Sequence, residues 1–177
     1  MKRAVILLMF LLAAPFLFAQ QALVIKAPGK IPADDRRLKV FLGGTIDMGT
    51  AENWQQKVGE QLAGQEVILL NPRRDDWNRD WKPVADEPNF REQVEWELNA
   101  LEASDYIIMY LIPGSQSPIS LLELGLHART GKLMVICPDG FWRKGNVDIV
   151  SEKYHINTYN NLDEVIDEIR KKAETER

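Results

Sequence analysis

The sequence predicts an α/β domain in which a parallel sheet is covered by helices on both faces. Two observations carry this. The apolar runs "LKVFLGG", "EVILLNP", "YIIMYLIP" and "LMVICPD" alternate with amphipathic stretches of helical length. The runs themselves are almost unbroken by polar residues, as strands buried on both faces must be.

The chain starts with Lys2 and Arg3, followed by the apolar run "AVILLMFLLAAPFLFA" and then Gln20 and Gln21. A charged start, an apolar stretch and small residues before a polar boundary predict a secretory signal peptide over 1–19, cleaved after Ala19. The run is short for a membrane span of ~20 residues. It is also interrupted by Pro15, and no cysteine follows it that could carry a lipid. The expectation is an exported protein, periplasmic or extracellular, with no stable membrane anchor after processing. Cys137 is the single cysteine, so no internal disulfide forms.

Residues 20–37 contain two prolines and a glycine and read as a tether, within which "ALVIK" has the composition to pair on a sheet edge. Residues 38–177 then form one domain, since fewer than 160 residues remain after the leader. The full chain carries 22 basic and 26 acidic side chains, net −4. Without Lys2 and Arg3 the balance is 20 against 26, net −6. That charge argues against a nucleic-acid polymer as partner.

Taken in order, "LKVFLGG" is a buried strand ending in glycines, and "AENWQQKVGEQLAG" is a helix with Gly64 placed as its C-cap. "EVILLNP" is the second strand, and a polar loop carrying Trp77 and Trp81 follows it. In "NFREQVEWELNALEASD", Phe90, Val94, Leu98 and Leu101 share one helical face. After "YIIMYLIP", a helix from Ile119 to about Thr130 would bury Leu121, Leu122, Leu124 and Leu126. "LMVICPD" is the fourth strand, with Cys137 as a small core residue. A short strand near Ile156 to Thr158 and the helix "LDEVIDEIRKKAE" complete the domain.

In an open parallel sheet, ligands bind beyond the carboxyl ends of the strands. Glu123 lies near the start of the helix that follows the third strand, flanked by leucines where an unpaired carboxylate is costly. A solvent-facing acid at a helix start is the ordinary alternative. The first strand runs into "GGTIDMGT" at the same edge, where glycines serve either a tight turn or the close approach of a ligand to the backbone.

The combination "KVFLGGTID", "EQVEWELNALEASDYIIMYLIP" and "SPISLLELGLHARTGK" resembles the nucleoside 2-deoxyribosyltransferase family, in particular its branch with "NPRR" after the second strand. The resemblance runs from about residue 38 to 158. It implies a flavodoxin-like, or Rossmann-like, three-layer sandwich with a five-stranded parallel sheet in the order 2-1-3-4-5. It also implies that Glu123 is the nucleophile, attacking C1′ of a deoxynucleoside or deoxynucleotide to form a covalent deoxyribosyl-enzyme. A carboxylate suits that step, since it stabilises and then traps an oxocarbenium-like centre.

Glu97 falls where better-known family members carry a catalytic aspartate, so the resemblance gives it a part in orienting the base or moving its proton, against a plain surface ion pair. Asp105 also matches a family position, where a loop or cap role weighs more. Gly43, Gly44 and Thr45 match the strand-end loop beside the substrate, and Asp47 can accept a hydrogen bond from sugar or base. Ser117 and Ser120, with the amides of the helix start, can bind a sugar hydroxyl or a 5′-phosphate, while simple N-capping competes at Ser120. Family members commonly complete the site across a subunit boundary, so a homo-oligomer is expected.

In "NPRRDDWNRDW", Arg73 and Arg74 can bind phosphate and Trp77 can stack on a base; equally, these residues can lock a long loop onto the domain. Asp76, Asn78 and Asp80 alternate as in a calcium loop, but Trp81 stands where the turn needs glycine. His127, one turn after Glu123, and His155 make no zinc constellation with one cysteine. No metal or other cofactor is expected. "GGTIDMGT" is neither a dinucleotide fingerprint nor a P-loop. The alternatives to an enzyme acting on a nucleoside or nucleotide, with a free base as second substrate, are an inactive binding module of the same fold and a secreted interaction protein.

Export has a direct check. Mass spectrometry of protein from its native host should find a mature chain beginning near Gln20; intact Met1 in the cytoplasm would remove the localisation.

Overall fold

The computed structural model describes residues 21–47 and 51–175; the expected signal peptide lies outside them. In chain order the elements are β1 (Leu23–Lys26), β2 (Leu38–Gly44), α1 (Trp54–Gln61), β3 (Val67–Asn71), α2 (Pro88–Ala103) and β4 (Tyr106–Tyr110). They continue with α3 (Pro118–His127), β5 (Leu133–Ile136), α4 (Lys144–Tyr154), β6 (Asn157–Tyr159) and α5 (Leu162–Thr175). The strands form one open sheet in the order β1-β3-β2-β4-β5-β6, and every pairing is parallel. The architecture is flavodoxin-like, as the family resemblance implies.

Alternate residues of each strand serve opposite layers. Val40, Leu42, Val67, Leu69 and Ile108 pack under α1 and α5, against Trp54, Val58, Val165 and Ile169. Phe41, Ile68, Leu70, Ile107 and Met109 pack under α2, α3 and α4, against Trp96, Leu101, Leu124 and Val147. Among the described residues no helix is long and apolar enough to cross a membrane.

The sheet has six strands rather than five. The extra one is "LVIK", inside the segment expected to be a tether, and it pairs with β3 from Leu23↔Ile68 to Lys26↔Asn71. All five residues of β3 are buried, so without β1 that strand would present an unpaired edge. Two contacts beyond the ladder hold the segment: the Trp96 indole donates to the Gly29 carbonyl at 2.7 Å, and Lys26 pairs with Asp75 at 2.6 Å. The remaining five strands keep the expected order.

Several helix expectations need correction. α2 turns Gln93, Trp96, Ala100 and Leu101 inward, not the stripe through Phe90, Val94 and Leu98; Leu98 is exposed. In α3 only Leu124 of the four leucines is fully buried, Leu121 is partly so, and Leu122 and Leu126 face outward. The N-cap position of α3 is Ser117, not Ser120. Leu62, rather than Gly64, caps α1. Cys137 lies just past β5 and is half-buried. The sequence reading also omits α4, whose inward face consists of little more than Val147 and Ser151 and so leaves a weak periodic signal.

From β2 the chain passes through α1 to β3 on one side, then through α2 to β4 on the other side of β2. The strand order therefore reverses between β2 and β4, and this switch point is where such sheets open a crevice. β2 and β4 approach closely there, with Gly43 and Gly44 opposite Met109 and Tyr110. Gly44 has φ +130°, and a Cβ on it would land on the Tyr110 carbonyl. Gly44→Ala is therefore expected to destabilise by about 2–3 kcal/mol or more, combining backbone strain with a clash against main chain that cannot retreat. Gly114, with φ +82° and open space around it, should lose only about 1–2 kcal/mol on the same change. Denaturant midpoints of the two variants check the contrast.

Candidate active site

At the switch point the ends of β2 and β4 lie beside α2 and α3. A hydroxyl cluster ties the end of β2 to the start of α3. The Thr45 amide donates to the Tyr110 carbonyl at 2.9 Å, its carbonyl accepts from the Trp54 indole at 2.9 Å, and its Oγ1 accepts from the Ile112 amide at 3.0 Å. The same Oγ1 lies 2.7 Å from Ser117 Oγ and 3.0 Å from Ser115 Oγ. Ser115 and Ser117 are 2.9 Å apart. Ser117 sits in left-handed backbone (φ 42°, ψ 52°) directly before Pro118, which disfavours the right-handed alternative. Its hydroxyl gives α3 no side-chain cap, because it is held by Thr45 and Ser115.

This entry angle explains why α3 is turned as it is. Its inward face carries Ser120 and Glu123, 5% and 8% exposed, beside Leu124. No hydrogen bond reaches the Ser120 hydroxyl or the Glu123 carboxyl among the described residues. α2 supplies the second acid: Glu97 accepts from Gln93 Nε2 at 2.8 Å, and the same nitrogen donates to the Pro72 carbonyl at 2.9 Å. Burial pushes the Glu123 carboxyl up to about 8, and the nearby negative charge of Glu97 adds to the effect. Burial also raises Glu97, but the hydrogen bond from Gln93 opposes it. Both acids therefore hold a proton more tightly than an exposed carboxyl does, and the Glu123 carboxyl also feels the charge of Glu97.

The other predicted residues divide. Gly43 and Gly44 lie at the end of β2, opposite Met109 and Tyr110. Thr45 and Ser117 are there too, but buried and bonded to each other. Asp47 is exposed, with φ 47°. Arg74 is bound up in the loop: it grips Asp76 at 2.7 and 3.0 Å, reaches Glu92 at 3.4 Å, and lies over the Trp81 ring at 4.9 Å. Trp77 packs edge-on against Trp81 at 5.3 Å. Of the two readings of "NPRRDDWNRDW", the loop lock fits Arg74 and Trp77. Arg73 reaches the Ala51 carbonyl at 3.3 Å, tying this loop to the one after β2.

Asp105 accepts from the Lys39 amide at 2.8 Å at the opposite, amino edge of the sheet, a structural bond. His127 is lowered by burial and then by Lys132, with no contribution from Glu123. Among the described residues no cluster of His, Cys, Asp and Glu is arranged to hold a metal. A separate cleft of about 330 Å³ lies beyond β5 and β6, between Cys137, Lys144 and Asn160, and none of the predicted site residues lines it.

Sequence reasoning missed Ser115 and Gln93. Ser115 gives no signal beyond its turn composition. Gln93 does, because it precedes Glu97 by four residues, where two helical side chains meet.

A carboxyl pair, Glu97 and Glu123, thus lies at the switch point of a flavodoxin-like sheet. The family model for nucleoside 2-deoxyribosyltransferase-like proteins matches residues 37–141, which span β2 to the residues just past β5. The chain belongs to the nucleoside 2-deoxyribosyltransferase-like family. No curated protein matches the sequence significantly.

The raised carboxyl of Glu123 has a consequence for stability. Its folded value of about 8 lies above the ordinary 4.5, so the folded state holds the proton more tightly than the unfolded chain. The stabilisation is complete below 4.5 and is lost as pH rises towards about 8. Across that window the wild type should lose about 1.4 kcal/mol per pH unit relative to Glu123→Gln. Urea titrations of both proteins from pH 5 to 9 measure the difference.

Proposed function

We propose that this protein cleaves or transfers the 2-deoxyribosyl group of a deoxynucleoside or deoxynucleotide through a covalent glycosyl-enzyme on Glu123. The observation that carries the reading is the burial of Glu123 next to Glu97 at the switch point, in a chain of the nucleoside 2-deoxyribosyltransferase-like family. In the productive state Glu97 holds the proton and Glu123 is ionised. Glu97 gives its proton to the leaving base as the C1′–N bond breaks, with the bonding electrons going to the base nitrogen. A Glu123 oxygen forms the new bond to C1′. A second base reverses these steps to give an exchanged nucleoside; water in its place gives free sugar. Gly43 and Gly44 let the ligand approach the strand ends, and the open hydroxyl of Ser120 is a partner for a sugar or phosphate oxygen.

Export to the periplasm or outside the cell, and assembly into a homo-oligomer, belong to the same proposal. Ile119, Leu122 and Leu126 on α3, with Leu98 on α2, leave an exposed apolar face that supports self-association. A second reading, an inactive binding module, draws on the protonated resting state of Glu123, since a carboxylic acid does not attack.

One experiment separates them. Mature protein is incubated with a panel of deoxynucleosides and deoxynucleotides, with and without a second base, and analysed by chromatography and by intact mass after rapid quenching. A mass increase of one deoxyribosyl unit is expected, with released base or exchanged nucleoside. Glu123→Gln should abolish the adduct and slow turnover by roughly 10³-fold or more. Glu97→Gln should slow a poor leaving group by about 10²–10⁴-fold and an activated one far less. Wild-type turnover by Glu123→Gln would falsify the nucleophile assignment.

A further inference from the structure

Gln93 occupies an unusual position for a buried amide. It is 4% exposed, and its nitrogen makes two contacts, to the Pro72 carbonyl at 2.9 Å and to Glu97 at 2.8 Å. Its oxygen is buried with no hydrogen-bond partner. The Pro72 carbonyl fixes which end of the amide faces it, because an amide oxygen there would oppose another oxygen. Both N–H groups are thereby assigned, and towards Glu97 Gln93 can only donate. An acceptor buried without a donor is destabilising, so the arrangement is not one that stability alone selects.

A donor aimed at a carboxyl group favours its charged form. Glu123 receives no comparable bond among the described residues, so the two acids do not compete equally for the negative charge. Other ionisable groups around them do not alter the balance. On α3, His127 responds to Lys132 and Glu102. In the loop between β3 and α2, Arg74 is held by Asp76 and Glu92 and Arg73 reaches Ala51. After β2, Asp47 is exposed. Among the described residues, Glu97 is the charge that bears on Glu123.

We propose that Gln93 is the positioning residue that decides which member of the pair is ionised, holding Glu97 as the carboxylate and leaving the single proton on Glu123 until a nucleoside binds. This rests on the glycosyl-transfer reading and adds a step before it. The empty site has the right number of protons for the reaction but keeps them on the wrong acid. Before attack, the O–H bond of Glu123 breaks and the proton forms a new O–H bond on Glu97, with no change in the charge of the pair. Glu123 is then the anionic nucleophile, and Glu97 carries the proton that the leaving base needs. Developing positive charge at C1′ favours that redistribution, because it attracts a negative Glu123. In the empty site the nucleophile stays neutral and inert.

The test is a carbon-13 NMR titration of the ligand-free mature protein labelled at the glutamate side-chain carboxyls, with Glu97→Gln and Glu123→Gln used to assign the two resonances. The higher midpoint should belong to Glu123 in the wild type. Gln93→Met keeps the length of the side chain and removes the donor; it should raise the Glu97 midpoint and lower that of Glu123, each by about one pH unit. Unchanged midpoints in folded Gln93→Met overturn the proposal. If that variant does not fold, the wild-type assignment decides: a higher midpoint at Glu97 overturns it, and a higher midpoint at Glu123 supports it. No nucleoside is present, so the outcome is separate from whether a deoxyribosyl adduct ever forms.

Discussion

The parallel pairing of β2 with β4 is the constraint on which the site depends. These strands meet where the winding of the sheet reverses, so no crossover helix covers their carboxyl ends. The contact is close enough to require glycine at position 44 against the Tyr110 carbonyl. Thr45 then continues the pairing by bonding to Tyr110 and gathers the Ser115 and Ser117 hydroxyls. Each of these contacts fixes the next, and together they set the angle at which α3 leaves the sheet. That angle turns the Glu123 carboxyl inward beside Leu124 and leaves Leu122 and Leu126 facing out.

α3 is thus an amphipathic helix turned against its own hydrophobicity. Its polar edge, Ser117, Ser120 and Glu123, is buried, while Ile119, Leu122 and Leu126 are between 57% and 59% exposed. An isolated domain selected only for stability would rotate this helix to bury the aliphatic side chains. The observed orientation instead buries a carboxyl at the switch point and leaves an apolar face exposed.

The same inversion explains what the sequence revealed and what it did not. Strand positions were legible because buried parallel strands are continuous apolar runs, and Glu123 was legible because an acid among leucines breaks a pattern. The helix faces were misjudged for the same reason, since burying the leucines is the default that α3 departs from. In α2 the default stripe also failed, because Gln93 and Trp96 turn inward to reach the carbonyls of Pro72 and Gly29. A partner of that kind is a backbone atom distant in sequence, which carries no side-chain signature. The sixth strand was half visible: "LVIK" has strand composition, but only the need to cover β3 gives it a partner.

The register of the sheet also bears on the order in which the molecule folds. Paired residues in β2 and β3 lie 29 positions apart, as Leu38↔Val67 shows, and those of β4 and β5 lie 26 apart, as in Ile107↔Leu133. Across β2 and β4 the separation is 66, from Val40 to Tyr106. Closing a longer stretch of chain costs more entropy before any contact rewards it. Residues 21–71 and 106–159 therefore make up two sequence-local halves whose internal pairings form sooner, and the seam between them closes late. The crevice lies on that seam, so a chain caught partway through folding has most of its strands and no place for a ligand. A nucleoside that binds only the closed seam would draw the final step forward by mass action.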